Sequence, residues 1–436
     1  MKADLLDKIE NGTAVIGIVG LGYVGLPLAV ETAKTGFKVI GFDVQEKIVF
    51  SVNAGNNYID DVTDGDLREA VKRGKLHATA DFSFVREADC IVICVPTPLD
   101  INKQPDMSYI KAATGSIGAH LRKDTLVVLE STTYPGTTQE LVRPILENKS
   151  RLVCEQDFFL AFSPERVDPG NSVFKTRNTP KVVGGVGKES LEAASAFYRK
   201  VLESDVHEVS SPAVAEMEKL LENTYRNINI ALINEMAIIC DQMGINVWEV
   251  IDSAKTKPYG FQAFYPGPGI GGHCIPLDPF YLTWKAREYD YHTRLIELSG
   301  EINQYMPQYV VERIYRILNR LKKPVNGSEI LVLGVAYKPD IGDYRESPAL
   351  KVIELLEKEG AIIRYNDPHV SCFMNKSREY INTELSEEIL NQADLTVIIT
   401  NHDEYNYNFI QANSAFVFDT RNAMKELKSR DNIELL

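Results

Sequence analysis

The chain has 436 residues, 44% hydrophobic and 25% charged, a globular balance with room for two or three domains. Its formal net charge of −14 argues against a nucleic-acid-binding role, because an acidic surface repels phosphate backbones. None of the six cysteines forms a CxxC pair, so we predict no zinc ribbon, no disulfide framework and no metal site. We find no apolar signal segment and no uninterrupted apolar run of about 18 residues, so we expect a cytoplasmic chain that does not enter the membrane.

A dinucleotide-binding turn is predicted near the N-terminus. A short apolar run at 13–19 leads into GLGYVG, then a helical pattern, then a second apolar run that ends at Asp43. Strand, GxGxxG, helix, strand and acid in this order form the dinucleotide fingerprint. We assign cofactor contacts to Gly20, Gly22, Tyr23, Val24 and Gly25. Asp43 is expected to accept hydrogen bonds from the ribose hydroxyls and to prefer NAD over NADP, since a carboxylate repels a 2′-phosphate; a plain βα turn is the alternative.

Three further apolar runs, at 90–95, 126–129 and 158–162, predict more strands of an α/β sheet. Thr97, Thr132 and Glu165 follow their ends. Ligands of parallel sheets bind beyond the carboxyl ends of the strands, so these side chains are candidate site residues. The alternative for each is a turn or capping residue.

A long helix is predicted between Ser211-Pro212, which form a start signal, and Gly244, a stop signal. It is so apolar that we expect it to be buried on more than one side. Lys219 and Asn223 lie four residues apart and share a face, on a polar stripe that Asn227 continues. Such a stripe needs hydrogen-bonding partners if it is buried; a solvated stripe is the alternative.

The segment FYPGPGIGGHCIPLDPF at 264–280 places Cys274 in a loop rich in Gly and Pro, with Asp278 four residues later. This backbone chemistry predicts an irregular loop that presents the thiol, although free cysteines are more often buried and inert. A charged helical region is predicted at 280–321, followed by a turn-rich linker at 322–327.

A second α/β domain is predicted after the linker, with strands at 330–333, 361–366, 396–400 and 416–419 and a helix at 347–359. Gly334-Val-Ala336 resembles a degraded dinucleotide turn, so this domain is expected to bind a nucleotide differently. Lys338 and Arg345 follow it and are candidate phosphate partners, with solvated surface charge as the alternative.

The motifs GLGYVGLPLA, VPTP, ESTTYPG, SPERVDPGN, EMEKLLENTYR, PGPGIGGHCIPLDP and GVAYKPDIGDYRES, in this order, resemble the UDP-glucose/GDP-mannose dehydrogenase family over nearly the whole chain. The fold class expected is α/β, with two Rossmann-like doubly wound domains joined by a central helical domain with one long helix. We expect an NAD-binding domain at 1–209, a central domain with the Cys loop at 210–322 and a UDP-sugar-binding domain at 323–436. SPERVDPGN and GGHCIPLDPFYLTWKA are most similar to the UDP-N-acetylglucosamine 6-dehydrogenase branch.

The resemblance implies an NAD-dependent, four-electron oxidation of the sugar C6 hydroxyl to a carboxylate, which supplies precursors of surface polysaccharides. Cys274 is then the nucleophile that forms a thiohemiacetal and a thioester, and Asp278 assists proton transfer. Lys219 and Asn223 stabilise oxyanions at C6, Thr132 holds a water molecule, and Glu165 assists thioester hydrolysis. The other implied roles are substrate contacts by Glu165, Arg166, Lys219, Asn223, Phe264, Tyr265, Gly271 and Lys338, cofactor contacts by Thr97, Thr132 and Arg345, and assembly as a homodimer or a higher homo-oligomer.

Three alternatives remain at this point. The UDP-N-acetylmannosamine branch is similar in the same motifs. A two-electron β-hydroxyacid dehydrogenase also combines a dinucleotide fold with Lys and Asn four apart, but needs no Cys, and a non-catalytic NAD-binding protein would need none of Lys219, Cys274 and Asp278. The chain also departs from the family in one place: the segment 257–261 has no Arg where members often offer one to a neighbouring subunit.

Overall fold

A computed structural model describes residues 2–59, 61–100, 102–168, 170–171, 173–272 and 275–436. The chain divides into two compact units. The first comprises the residues up to Glu222 together with Phe280–Tyr291, and the second comprises Asn223–Pro279 and His292–Leu436.

The first unit contains an eight-stranded sheet. Its strands are β1 Val15–Val19, β2 Lys38–Phe42, β3 Leu76–Thr79, β4 Cys90–Ile93, β5 Leu126–Leu129, β6 Phe159–Phe162, β7 Lys181–Gly185 and β8 Val206–Val209. Its α-helices are α1 Lys2–Glu10, α2 Gly25–Lys34, α3 Glu46–Asn53, α4 Asp64–Lys72, α5 Ser108–Gly118, α6 Arg143–Ser150 and α7 Lys188–Val201.

The strand order is β3-β2-β1-β4-β5-β6-β7-β8, and every neighbouring pair is parallel except β6 and β7. Every residue of β4, β5 and β6 is buried, as expected for strands covered by helices on both faces. The chain reverses its direction of travel across the sheet between β1 and β4, which places a ligand-binding crevice beyond the carboxyl ends of these strands.

The second unit contains a five-stranded parallel sheet of order β10-β9-β13-β14-β15 and a separate hairpin of β11 and β12. The strands are β9 Glu329–Leu333, β10 Ile362–Asn366, β11 Cys372–Asn375, β12 Arg378–Ile381, β13 Leu395–Ile398, β14 Val417–Asp419 and β15 Ile433–Leu435. The order repeats β2-β1-β4-β5-β6 of the first unit. The predicted α/β class with two doubly wound sheets is therefore confirmed.

The remaining helices begin with α8 Pro212–Met243, which continues from the first unit into the second. It is followed by α9 Val247–Ala254, α10 Asp278–Ala286, α11 Arg294–Arg320, α12 Pro348–Lys358, α13 Glu387–Gln392 and α14 Tyr407–Asn413. The helical region predicted at 280–321 contains two α-helices: α10 starts two residues before it, and a break separates α10 from α11. Asp290 adopts a left-handed conformation there, with φ of 55°, which a continuous helix does not allow. Among the described residues, none of these helices combines the length and apolar character needed to cross a bilayer.

Candidate active site

The turn between β1 and α2 uses its three glycines in different ways. Gly20 has φ of +90°, and a Cβ there would lie 2.7 Å from the carbonyl oxygen of Cys94. A Cβ on Gly25 would lie 1.8 Å from the carbonyl oxygen of Gly20. A Cβ on Gly22 would meet no protein atom within 4 Å. The first and third glycines are therefore required for packing, whereas the second faces open space, where a pyrophosphate can approach the backbone.

Asp43 follows β2 and is buried against this turn. Its Oδ2 accepts a hydrogen bond from the Leu21 N–H at 3.0 Å, and its Oδ1 accepts one from the Gln45 N–H at 2.9 Å. A carboxylate offers about four acceptor positions, so two remain for a diol such as a ribose. The turn and Asp43 together fit a dinucleotide. Of the other two predicted turn contacts, Tyr23 is exposed and Val24 is half-buried.

The side chains predicted at strand ends lie on neighbouring strands at one edge of the sheet. Thr97, Thr132 and Glu165 follow β4, β5 and β6, whose last residues pair in register, and all three are half-buried. The Tyr281 hydroxyl of α10 donates to the Thr97 carbonyl oxygen at 2.7 Å and so fixes the first of these segments. The structure therefore brings these three candidates to the same edge as the nucleotide turn.

Glu165 is held firmly in the segment after β6. Its Oε1 accepts hydrogen bonds from the N–H groups of Arg166 and Val167 at 2.8 and 2.7 Å. Burial disfavours its charge, but the nearby Lys181 ammonium and these bonds favour it more, and they lower the Glu165 pKa to about 2. Glu165 is therefore a carboxylate at neutral pH.

Arg166, predicted to contact substrate, has extensive protein contacts. Its guanidinium binds the Glu222 carboxylate of α8 and donates to the Pro180 carbonyl oxygen at 2.9 Å. Glu218 lies 3.5 Å from the same guanidinium. These contacts tie the segment after β6 to the start of α8, so Arg166 orients the neighbouring Glu165.

Lys219 is only 7% exposed and lies between Glu218 and Glu222 along α8. Burial and the Glu222 charge raise the Glu218 pKa to about 7. Burial also opposes ionisation of Glu222, but its hydrogen bond with Arg166 lowers its pKa. Lys219 is thus a buried side chain between two acidic residues, one helical turn before Asn223 on the same face of α8.

In the second unit, Asn223 and Asp278 form a direct pair. The Asn223 Nδ2 donates to the Asp278 Oδ2 at 2.5 Å, and both residues are buried. One turn later on α8, the Asn227 Nδ2 donates to the Ile275 carbonyl oxygen at 3.1 Å. His273 and Cys274 lie outside the described residues. The chain immediately after Cys274 is thus attached to the helix face that carries the predicted oxyanion-stabilising Asn223.

A ladder of buried amides extends this attachment. Ser299 and Asn303 of α11 donate to the Asn227 Oδ1 and carbonyl oxygen, each at 3.0 Å. The Asn234 Nδ2 donates to the Asn303 Oδ1 at 2.9 Å, and the Asn234 Oδ1 accepts from the Gly267 N–H at 3.0 Å. The alternative of a solvated stripe is therefore wrong for Asn223 and Asn227. Sequence reasoning missed Asn234 and Asn303; the spacing 223, 227, 234 along one predicted helix was the available signal.

The loop rich in Gly and Pro packs closely on the domain that follows it. A Cβ on Gly271 would lie 2.6 Å from the Tyr337 Cβ, and one on Gly267 would lie 2.5 Å from the Arg421 guanidinium. Gly272 has φ of +83° and faces the Tyr337 ring. Lys338, half-buried, directly follows Tyr337. The structure therefore brings two predicted substrate contacts, Gly271 and Lys338, into one neighbourhood.

Two predicted aromatic contacts lie at the start of the same loop. Phe264 meets the Tyr225 ring of α8 edge-on, with centroids 5.9 Å apart. Tyr265 stacks on Trp248 of α9 with centroids 6.1 Å apart. Arg345, predicted to contact the cofactor, lies in this second unit and binds Asp343 through two hydrogen bonds of 2.9 and 2.7 Å.

The degraded turn after β9 has its own acidic residue. Asp367 follows β10, as Asp43 follows β2, and accepts from the N–H groups of Val335 and Ala336 at 2.7 and 2.9 Å. It also accepts from the His369 N–H at 2.9 Å and pairs with the His402 Nε2 at 3.1 Å. Three of these contacts are on Oδ2 and one is on Oδ1, and Asp367 is completely buried, so it holds the turn together and is not exposed to a ribose as Asp43 could be.

Among the described residues, one group of possible metal ligands lies together: Asp340, His369 and His402. The His402 Nδ1 accepts a hydrogen bond from the Asp340 N–H at 2.9 Å, and the His402 Nε2 faces Asp367. Both ring nitrogens of His402 therefore hold the turn in place, which accounts for its complete burial.

Three segments of the chain match the UDP-glucose/GDP-mannose dehydrogenase family: residues 14–202 its NAD-binding domain, 213–305 its central domain and 331–426 its UDP-binding domain. The chain is 36% identical to the UDP-N-acetyl-D-glucosamine 6-dehydrogenase of Pseudomonas aeruginosa over 89% of this chain and 91% of that protein. It is 34% identical to the UDP-N-acetyl-D-mannosamine dehydrogenase of Pyrococcus horikoshii over 94% and 96%. A solved structure of the Pyrococcus horikoshii UDP-D-ManNAc dehydrogenase superposes with a TM-score of 0.87 at 32% identity, covering 97% of this chain and 98% of that one.

Proposed function

Because the chain belongs to the UDP-glucose/GDP-mannose dehydrogenase family, with NAD as its cofactor, we propose that it oxidises the C6 hydroxyl of UDP-N-acetylglucosamine to a carboxylate. The family is one of nucleotide-sugar oxidoreductases, and the UDP-binding domain match supports a UDP-sugar substrate. The Pseudomonas aeruginosa relative supports the N-acetylglucosamine form.

The observation that carries the proposal is the buried Asn223–Asp278 pair, together with the Asn227 bond to Ile275. The Asn223 amide and the Asp278 carboxylate, which can both assist C6 chemistry, are held together, and Asp278 lies four residues after Cys274 in the sequence. A sugar aldehyde formed by a first oxidation can escape, whereas a covalent adduct on a thiol cannot. The chemistry of a four-electron oxidation therefore favours a nucleophilic cysteine at this position.

In this proposal the turn after β1, Asp43 and the segment of Thr97 would hold NAD, which would supply the hydride acceptor for both oxidations. Asp278 receives the proton of the C6 hydroxyl directly or through water. Lys219 and Asn223 stabilise the negative charge that develops on the C6 oxygen. The Cys274 thiolate adds to the aldehyde, and the second oxidation leaves a thioester.

Hydrolysis then releases the product. A water held by Thr132 attacks the thioester carbon while Glu165 assists by accepting a proton, and the sulfur leaves as thiolate. In the second unit, Lys338, Gly271, Phe264 and Tyr265 are the proposed substrate contacts and Arg345 is the proposed cofactor contact. Arg166 of the first unit is a further proposed substrate contact.

The experiment is a panel of UDP-N-acetylglucosamine, UDP-N-acetylmannosamine and UDP-glucose, with NADH and uronate measured for each. We expect two NADH per sugar, and a kcat/KM for UDP-N-acetylglucosamine at least about tenfold above the others. The acetamido group at C2 is inverted in UDP-N-acetylmannosamine and replaced by a hydroxyl in UDP-glucose, and either change costs contacts at C2. A maximum with UDP-N-acetylmannosamine would favour the activity named for the Pyrococcus horikoshii relative. One NADH per sugar indicates a two-electron dehydrogenase, and no turnover a non-catalytic protein.

We further propose a homodimer that packs on α8. This helix exposes Leu221, Leu232, Ile239 and Met243. Ile239 follows Leu221 by five full turns at about 3.6 residues per turn, so these side chains form one apolar stripe. Light scattering is expected to give twice the protomer mass, and the double substitution Leu232→Glu with Ile239→Glu to give the protomer mass. A monomeric wild-type chain at micromolar concentration contradicts this assembly.

A further inference from the structure

A buried lysine bridges two glutamates at the edge of the first sheet. Because β7 runs antiparallel to β6, with Phe162 opposite Gly184, its first residue, Lys181, extends past the end of β6. The Lys181 Nζ binds the Glu130 Oε1 in a short contact and the Glu165 Oε2 at 3.2 Å. Glu130 follows β5 directly, so its carboxyl and that of Glu165 come from neighbouring strand ends.

Two members of this triad, Lys181 and Glu130, are almost completely removed from water, and Glu165 is half-buried. The exposed fraction is 4% for Lys181 and 1% for Glu130. Two carboxylates face one ammonium, so full ionisation of all three leaves one uncompensated negative charge in a site of low polarity. Such a site favours binding of one proton by the carboxyl pair.

The other groups that face the triad come from three elements. The Tyr198 hydroxyl of α7 donates to the Glu130 Oε2 at 3.0 Å, and the Lys181 Nζ lies 5.3 Å from the Tyr198 ring centroid. Burial raises the pKa of the Cys94 thiol after β4, so that group is neutral. The remaining neighbours are Ser163, which hydrogen-bonds to Tyr198, and Arg166, whose positive charge interacts with the Glu165 carboxylate.

The two carboxyls respond differently to these surroundings. Burial raises the Glu130 pKa to about 7, although the Lys181 charge opposes this rise. Burial also opposes the charge of Glu165, but the Lys181 ammonium and hydrogen bonds that include the Val167 N–H outweigh it and lower the Glu165 pKa. Both carboxyls bind the same Lys181 Nζ, so their titrations are coupled and one proton belongs to the pair.

We propose that Lys181 and Glu130 are positioning residues for thioester hydrolysis: Lys181 fixes the Glu165 carboxylate, and Glu130 takes up the proton that Glu165 removes from the attacking water. This inference rests on the role proposed above for Glu165. Glu165 alone is too weak a base, since a carboxylate that accepts several hydrogen bonds holds an added proton poorly. Glu130 gives the pair an acceptor matched to neutral pH.

The step balances without a further reactant. The water oxygen bonds to the C6 carbonyl carbon, and the carbon–sulfur bond breaks with its electron pair going to sulfur. The water proton moves to Glu165 and on to Glu130, which returns it to solvent after product release. No electrons are exchanged with a cofactor in this step.

The test compares Glu130→Gln with the wild type in single turnovers with UDP-N-acetylglucosamine and NAD, from pH 5.5 to 9. The readout is the rate of uronate release after NADH has formed. For the wild type we expect a rise with pH and a midpoint near that of the carboxyl pair. Glu130→Gln is expected to form NADH normally, to release uronate about tenfold or more slowly at pH 8, and to lose this midpoint.

Asp89→Asn is the matched control. Asp89 is a buried carboxylate with two cations, Arg122 at 2.5 Å and Lys8 at 3.3 Å, and it precedes β4 at the opposite edge of the same sheet. Its substitution is expected to lower Tm without changing the rate or the pH midpoint of uronate release. If Glu130 has only a structural role, Glu130→Gln will also lower Tm and leave the rate and the pH midpoint of uronate release unchanged, and that result overturns the inference.

A second variant keeps the inference testable if Glu130→Gln does not fold. Tyr198→Phe removes a hydrogen bond that stabilises the ionised form of Glu130, which raises the Glu130 pKa. The pH midpoint of uronate release in this variant is therefore expected to move to higher pH. An unchanged midpoint in whichever variants fold overturns the inference. If the wild-type protein releases no uronate from this sugar while binding NAD, the proposed function fails instead.

Discussion

Replacing Cys274 with alanine is expected to abolish uronate formation while NAD binding is retained. The thiol is the proposed nucleophile of both covalent intermediates, so no other group can hold the sugar between the two oxidations. The nucleotide turn and Asp43 lie in the first unit and have their own contacts, which the substitution leaves in place. The measurements are uronate yield by chromatography and NAD affinity by calorimetry.

Cys372→Ala is the matched control for this substitution. Cys372 is an exposed free cysteine on the hairpin strand β11, outside every predicted site. It is expected to keep wild-type kinetics. Normal uronate formation by Cys274→Ala would refute the nucleophile, and equal losses in both variants would point to a general effect of removing a thiol.

Gly22→Ala is expected to weaken NAD binding by about a hundredfold, equivalent to about 2.7 kcal/mol, without lowering Tm. A Cβ at this position meets no protein atom within 4 Å, so the folded chain accommodates it. The methyl group occupies the space through which a pyrophosphate approaches the backbone. Calorimetric titration with NAD and thermal unfolding of the ligand-free protein measure the two effects.

Two other glycines serve as references. Gly115, inside α5, also has free space around a Cβ, so Gly115→Ala is expected to leave NAD affinity unchanged. Gly25→Ala is expected to lower Tm, because its Cβ overlaps the Gly20 carbonyl oxygen. Wild-type NAD affinity in Gly22→Ala would show that the cofactor does not lie against this turn.

The sequence predicted the central strands well, because β1, β4, β5 and β6 are continuous apolar runs bounded by turn signals. It missed short or irregular strands. β8 carries no fully buried residue, and β7 contains Gly184 and Gly185, which weaken a strand signal. The hairpin of β11 and β12 was missed for a similar reason, since only Phe373 and Tyr380 are buried in it.

Site residues close in sequence were easier to anticipate than their supporting partners. The spacing of Lys219, Asn223 and Asn227 is enough by itself to indicate one helix face. Lys181 is 51 residues from Glu130, and a single lysine before a valine pair resembles a surface residue. Its burial follows from the antiparallel addition of β7, which is a property of the sheet and not of the local sequence.

The proposed covalent route is tested most directly by mass spectrometry of the peptide that contains Cys274, after acid quenching of a single turnover with UDP-N-acetylglucosamine and NAD. We predict a transient acyl adduct on this peptide that appears with NADH and disappears as uronate is released. The adduct should last longer in Glu165→Gln, whose weaker proton acceptor slows hydrolysis. Formation of two NADH per sugar with no adduct at any time in either protein would contradict the account.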